Sequence, residues 1–389
     1  MKCVLLHELC HMFGAVDLHE PGSIMDIENR GLKFDEFTSK IIALNRQRSF
    51  LQDSLPLPDD ICEQAIALYE QRANLDLGET DIDMMLASLY MERGQNSLAS
   101  AACAKLLERN PDMKEIHNYL GNIYLRQGAF EKAIAEYNEL IRFYPDSPDV
   151  HFNLGLAYSK AGMPDNAEAE YQKAIALNPR YAKAFVYLGH LFLKERRIEQ
   201  AISMCQAALR LTPDYAEALC VSAAALIHKA NFEQYEAGLR KKEKGKTGEN
   251  VENGSEETAA DLFVKAIDKC KRALEIKPGM PEAHNIMGIG YACRGNPKEA
   301  EQEFLCALDS DPSFVYAHFN LGILYYSSRQ MSKAAYRVTR IMEVNPDSGL
   351  VFKILDLIFK RGNAYSIGLD GSDYPGDVLA GQSPKNENR

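Results

Sequence analysis

The chain has no uninterrupted apolar stretch of 18 residues, so no segment reads as a membrane span. Its short apolar opening is broken at His7 and Glu8, which excludes a secretory signal peptide over those residues. Positive charge is also in short supply: 44 Lys and Arg face 55 Asp and Glu, leaving a net charge of −11 and a pI near 5.4. Broad nucleic-acid binding needs a basic face, and this balance argues against one. The nine cysteines are odd in number and form no C-x-x-C pair. They read as buried, reduced thiols rather than as a disulfide framework. The sequence as given therefore fits a cytoplasmic protein. A signal peptide upstream of this start would place it instead in a secreted or periplasmic setting.

What the chain has is periodicity. Pro111, Pro145, Pro179 and Pro213 are spaced by 34, as are Pro278, Pro312 and Pro346. The one odd step, Pro213 to Pro278, is 65, or 34 plus an insertion of 31. Leu120-Gly121, Leu154-Gly155, Leu188-Gly189, Met287-Gly288 and Leu321-Gly322 keep the same phase, with Tyr124, Tyr158, Phe192, Tyr291 and Tyr325 four residues later. Small residues recur at Ala99, Ala133, Ala167, Ala201, Ala266, Ala300 and Ala334. Tyr137, Tyr171 and Phe304 share a further position with Cys103, Cys205 and Cys270. Glycine and alanine let two helices approach, aromatic rings fill the space beside them, and proline stops the second helix.

A period of 34 with these signatures resembles the tetratricopeptide repeat (TPR). The resemblance implies a mostly α-helical TPR solenoid with seven repeats, at about 80–113, 114–147, 148–181, 182–215, 216–280, 281–314 and 315–348. Residues 53–79 read as a linker and a degenerate half-repeat, and 349–366 as a capping helix. The polar insertion at about 231–260 and the tail at 367–389 read as disordered. In such repeats the concave face is the usual peptide groove. By phase, its candidates here are Asn118, Asn122, Phe152, Val186, His190, Asn285, Phe319 and Tyr326. Asn118, Phe152 and Val186 stand where chaperone-binding TPRs carry a clamp lysine, so chaperone C-termini are not expected ligands. A mixed polar and aromatic groove suits an extended peptide or a partner helix. His117, His151, His284 and His318 share one repeat position. That position normally holds a large side chain packed between helices, which is a better reading than a metal ladder.

The N-terminal 52 residues carry a different signal. His7 and His11 are four apart, which on a helix puts both imidazoles on one face. Glu8 sits where a general base for a metal-bound water belongs. Gly14 permits a sharp turn, after which Asp17 or His19 can supply a third ligand. The stretch resembles the metzincin metalloproteases, and among them the matrixins: Asp17 is followed by Pro21 and by Met25 of a Met-turn at the family offsets. Asp17 replaces the usual third histidine and Cys10 replaces a common glycine. Cys3, which shares a helical face with the two histidines, would make the site structural if it closed the coordination.

The likeness implies zinc on His7, His11 and Asp17, with Glu8 catalytic and Met25 beneath the site. It covers the second half of such a domain, whose upstream half supplies a sheet. An incomplete, inactive segment attached to a TPR interaction scaffold is therefore the expectation, the start being read as truncated. The alternative is an active zinc endopeptidase whose repeats recruit substrates.

Overall fold

In a computed structural model of the chain, residues 59–73, 80–110, 112–244, 258–345 and 349–351 are described. The metzincin-like segment 1–52 lies outside them, as do the tail and most of the expected capping helix, 352–366. Every regular element among the described residues is helical. They fall into two units, one ending at Asp146 and one beginning at Ser147. Among the described residues no helix is long and apolar enough to cross a membrane.

The first unit holds α1 (Asp59–Ala73), α2 (Thr80–Glu92), α3 (Asn96–Arg109), α4 (Lys114–Arg126) and α5 (Phe130–Phe143). Here α1 packs on α2, and α2–α3 and α4–α5 form hairpins, α3 stacking on α4. Cys62, Ala65 and Tyr69 of α1 are buried in the same core as Leu86, Cys103 and Leu106. Tyr90 of α2 donates to Glu70 of α1 at 2.6 Å. The carboxylate of Asp83, nearly buried in α2, accepts from Arg109 at 2.8 Å and Lys105 at 3.4 Å, both on α3. A charge that deep would be costly without such partners.

The second unit holds α6 (Pro148–Lys160), α7 (Pro164–Leu177), α8 (Ala182–Lys194), α9 (Ile198–Leu211), α10 (Ala216–Lys244), α11 (Ala259–Ile276), α12 (Pro281–Cys293), α13 (Pro297–Ser310), α14 (Val315–Ser327) and α15 (Met331–Val344). Consecutive pairs form hairpins. The first helices of successive hairpins also touch, α6 with α8, α8 with α10, α10 with α12 and α12 with α14, which makes a layer of first helices. Proline at the first turn of α6, α7, α12 and α13 sits where its missing N–H costs nothing. Thr258 caps α11 through a reciprocal box with Asp261.

Close helix approach explains the repeating Gly and aromatic positions. A Cβ built on Gly121, Gly155 or Gly288 would come within 2.6–2.8 Å of a ring carbon of Tyr137, Tyr171 or Phe304 on the partner helix. In the α8–α9 hairpin Cys205 replaces the ring, and the same construction on Gly189 meets its Sγ at 3.2 Å. The hairpin turns need a left-handed residue: Gly94, Gly128, Gly162 and Gly295 have φ of 72° to 78°, and Arg196 and Arg329 take φ near 60° at the same position. The fifth hairpin has Ala230 there. No residue stops the helix, and α10 continues to Lys244, 29 residues in all. Disorder had been expected from residue 231; residues 231–244 are helical instead, and the part of the insertion outside the description is 245–257.

Candidate ligand-binding face

All eight groove candidates lie on first helices, but the structure treats them unequally. Phe152, Val186, His190, Asn285 and Phe319 are buried. Phe152 is packed edge-on against Tyr187 at 5.0 Å and tilted against Tyr181 and Tyr171 at 5.5 and 5.7 Å. It is a core aromatic, and Lys183 lies 4.8 Å over its ring. Asn285 accepts from the Asn320 amide at 2.8 Å, tying α12 to α14. Asn118, Asn122 and Tyr326 are partly buried and keep accessible surface. Asn122 accepts from the Tyr137 hydroxyl at 2.9 Å, so it is oriented by the α4–α5 hairpin. Repeat phase identifies the helix, but depth follows from how tightly neighbouring helices close.

Two residues on this layer were not singled out from the sequence. Lys160 ends α6 and Lys194 ends α8, one period apart. Burial, and next the neighbouring Lys194 ammonium, push Lys160 down to about 8. Burial also lowers Lys194. Burial disfavours the charged form of both ammonium groups, and Lys160 also feels the positive charge of Lys194. The 34-residue spacing was the signal that could have found them.

The histidine position has an unexpected companion. His117 Nδ1 lies 2.7 Å from Glu136, His151 Nδ1 lies 2.6 Å from Glu170, and His284 Nδ1 lies 2.8 Å from Glu303. Each pair is separated by 19 residues and ties the first helix of a hairpin to the second. In the last hairpin the companion is Arg337, 3.4 Å from His318 Nδ1, while His318 Nε2 donates to the Pro312 carbonyl at 3.1 Å. Burial, aided by that guanidinium, holds His318 below the usual histidine range. Seven described cysteines are free thiols, and five of them are buried. Burial lifts Cys103 and Cys205 to about 12, so both stay protonated and serve as packing groups. The zinc-protease candidates His7, Glu8, His11, Asp17, His19 and Met25 all lie outside the described residues.

Family models described as TPR repeat and tetratricopeptide repeat match residues 121–162, 148–181 and 182–215. The chain carries tetratricopeptide repeats. Solved TPR-like folds agree. A tetratricopeptide repeat protein from Parabacteroides merdae ATCC 43184 superposes with a TM-score of 0.56 at 12% identity, covering 72% of this chain and 98% of that one. A monomeric IFIT1 mutant with m7Gppp-AAAA gives 0.56 at 16% identity, over 83% of this chain and 78% of that one. The Cut9–Hcn1 hetero-tetramer of the APC/C gives 0.53 at 14% identity, over 81% and 59%. At these identities the likeness is one of fold. For the TPR hairpins it accounts for the alternation of first and second helices and leaves the ligand to the side chains of this chain.

Proposed function

We propose that this TPR protein is a protein-binding scaffold whose first-helix layer in the second unit receives an extended peptide bearing an acidic side chain or terminus. The observation that supports this reading is the Lys160–Lys194 pair, half-buried at equivalent places on α6 and α8. A carboxylate between the two ammonium groups would relieve their repulsion, and a charge-assisted hydrogen bond is stronger than a neutral one. The test is an array of extended peptides, acidic against amide-substituted, probed with the full chain. Acidic peptides are expected to be retained, with affinity falling about tenfold in Lys160→Gln/Lys194→Gln, the loss of roughly one such hydrogen bond. If no peptide class is held above scrambled controls, the scaffold reading fails. If retention ignores both lysines, the charge argument fails.

We further infer that residues 1–52 are a metzincin-like segment attached to the scaffold and without proteolytic activity in this chain. The donor set, two imidazoles four apart on His7 and His11 plus the carboxylate of Asp17, is of the type zinc takes, with His19 the rival third donor. Zinc would supply Lewis acidity there. The second reading, an active endopeptidase with Glu8 holding the proton of the attacking water, is favoured by the matching positions of Gly14, Pro21 and Met25. A peptide-library cleavage assay separates the two. No turnover supports the scaffold; turnover that vanishes in Glu8→Gln while zinc is retained establishes the enzyme.

A further inference from the structure

Three of the hairpins repeat one motif, a first-helix histidine bonded to a second-helix glutamate. The residue three beyond the glutamate differs in each. In α4–α5 it is Glu139, which pairs outward with Arg142. In α6–α7 it is Lys173, whose ammonium donates to Glu170 at 2.7 Å and neutralises it. In α12–α13 it is Cys306, a thiol one helical turn from Glu303 on the same face. Among the described residues, His284, Glu303 and Cys306 are the group of three whose potential ligand atoms all lie within 4.8 Å of one another.

We propose that His284 Nδ1, a Glu303 carboxylate oxygen and Cys306 Sγ form a binding site for one zinc-class divalent cation. The donor set decides the class. An imidazole, a carboxylate and a thiolate are the borderline-soft combination that favours zinc, whereas magnesium and calcium ask for oxygen alone. Zinc bonds of roughly 2.0–2.3 Å place tetrahedral ligand atoms about 3.3–3.8 Å apart. His284 Nδ1 and Glu303 Oε2 stand 2.8 Å apart, every pair of donors lies within 4.8 Å, and two of the donors are on one helix. All three residues are only partly buried, so the fourth position faces water. The Nδ1 lone pair must point at the metal, which leaves the ring proton on Nε2.

Burial and the Glu303 and Asp309 carboxylates raise the Cys306 thiol, so it carries its proton when no metal is present. Binding breaks that S–H bond, forms a sulfur–metal bond and passes one proton to solvent, with no change of oxidation state. Cys270 also feels Glu303, but it is completely buried in the core between helices and offers no room for an ion. Cys293, at the end of α12, is outside the group.

Cobalt(II) is the probe, because a cobalt–thiolate bond absorbs in the near ultraviolet where imidazole and carboxylate complexes do not. The full chain carrying His7→Ala, His11→Ala and His19→Ala is titrated, so that the N-terminal histidines contribute nothing. One equivalent should produce the thiolate band, and zinc should abolish it by displacement. Cys306→Ser should remove the band with circular dichroism unchanged. Glu303→Gln should weaken binding while keeping the band at higher cobalt. Cys293→Ser should behave as the parent, which controls for a nearby thiol. As an independent readout, zinc should protect Cys306 alone from alkylation. Absence of the band, its survival in Cys306→Ser, or cobalt uptake that does not saturate at one equivalent each overturns the site.

Discussion

Gly288 offers the sharpest test of how these hairpins are held. It lies inside α12, where alanine is ordinarily the better helix former by about 1 kcal/mol. Propensity alone therefore predicts that Gly288→Ala stabilises the chain. The packing says the opposite. The new Cβ would sit 2.6 Å from Cε1, 2.7 Å from Cδ1 and 3.0 Å from Cζ of Phe304. Phe304 is almost wholly buried, in a core with Ala300, Ala307 and Leu321, so its ring has nowhere to swing. Overpacking of this kind costs about 1–3 kcal/mol, and setting the propensity gain of about 1 kcal/mol against it leaves a net loss of up to about 2 kcal/mol. Urea denaturation followed by circular dichroism measures it, with hydrogen exchange on α12 and α13 as the local readout, since a repeat array need not unfold in one step. Gly238→Ala is the internal control. Gly238 is helical and exposed in α10 with nothing within 4 Å, so alanine there should stabilise by about 0.5–1 kcal/mol. Phe304→Leu in the Gly288→Ala background should recover part of the loss, a coupling that double-mutant analysis detects. A Gly288→Ala chain as stable as the parent, with no coupling to position 304, would refute the close-approach argument for the whole repeat.

Arg196 has φ of 61° at the turn position where the three preceding hairpins have Gly94, Gly128 and Gly162. Arg196→Gly should therefore raise stability by about 1 kcal/mol in chemical denaturation, the order of the left-handed penalty for an L-residue. Thr258→Ala removes the hydroxyl arm of the capping box at the start of α11, leaving Asp261 to accept from the backbone N–H of residue 258, and should cost about 1 kcal/mol, seen as faster amide exchange in its first turn. Lys160 titrates near 8 in the folded chain against 10.5 for an ordinary lysine. As pH rises from about 8 to 10.5 the folded state releases this proton first and the unfolded chain holds more, so its contribution favours folding increasingly over that window. Lys160→Met should be more stable than the parent at pH 7, and the difference should shrink as pH approaches 10.5; a difference independent of pH would show that Lys160 is not desolvated.

Much of the hairpin architecture is written in single residues. Gly288 and Phe304 are 16 apart, as are Gly121 and Tyr137, and that pairing states which helices touch and how closely. The length of α10 is less obvious, because its signal is a missing one: Ala230 stands where other hairpins carry a left-handed residue, and alanine does not end a helix. The glutamates opposite the histidines were also in plain view at a spacing of 19, but they acquire meaning only when two antiparallel helices bring that separation into contact. The groove illustrates a limit of phase. Phe152 and Val186 lie on first helices as expected, yet the aromatic cluster of Tyr171, Tyr181 and Tyr187 closes over Phe152, and no one-dimensional pattern encodes that closure. The lysines at the ends of α6 and α8 carry the same lesson in reverse: exposed-looking residues whose charge is shaped by burial.

The run of α10 past Ala230 changes what the chain can tolerate. Fourteen residues of helix at 1.5 Å each carry the fifth hairpin's tip about 20 Å further along the helix axis. Phe232 and Tyr235 ride on that arm, 64% and 62% exposed. Yet Pro278 resumes the 34-residue beat, and α11 returns to pair with α10 as any second helix pairs with its first. Length added at a hairpin's tip is thus absorbed along the helix axis, at right angles to the direction in which hairpins accumulate, and the stack keeps its count. The tip of this hairpin is where the chain can be lengthened, tagged or grafted without any repeat losing step with the next.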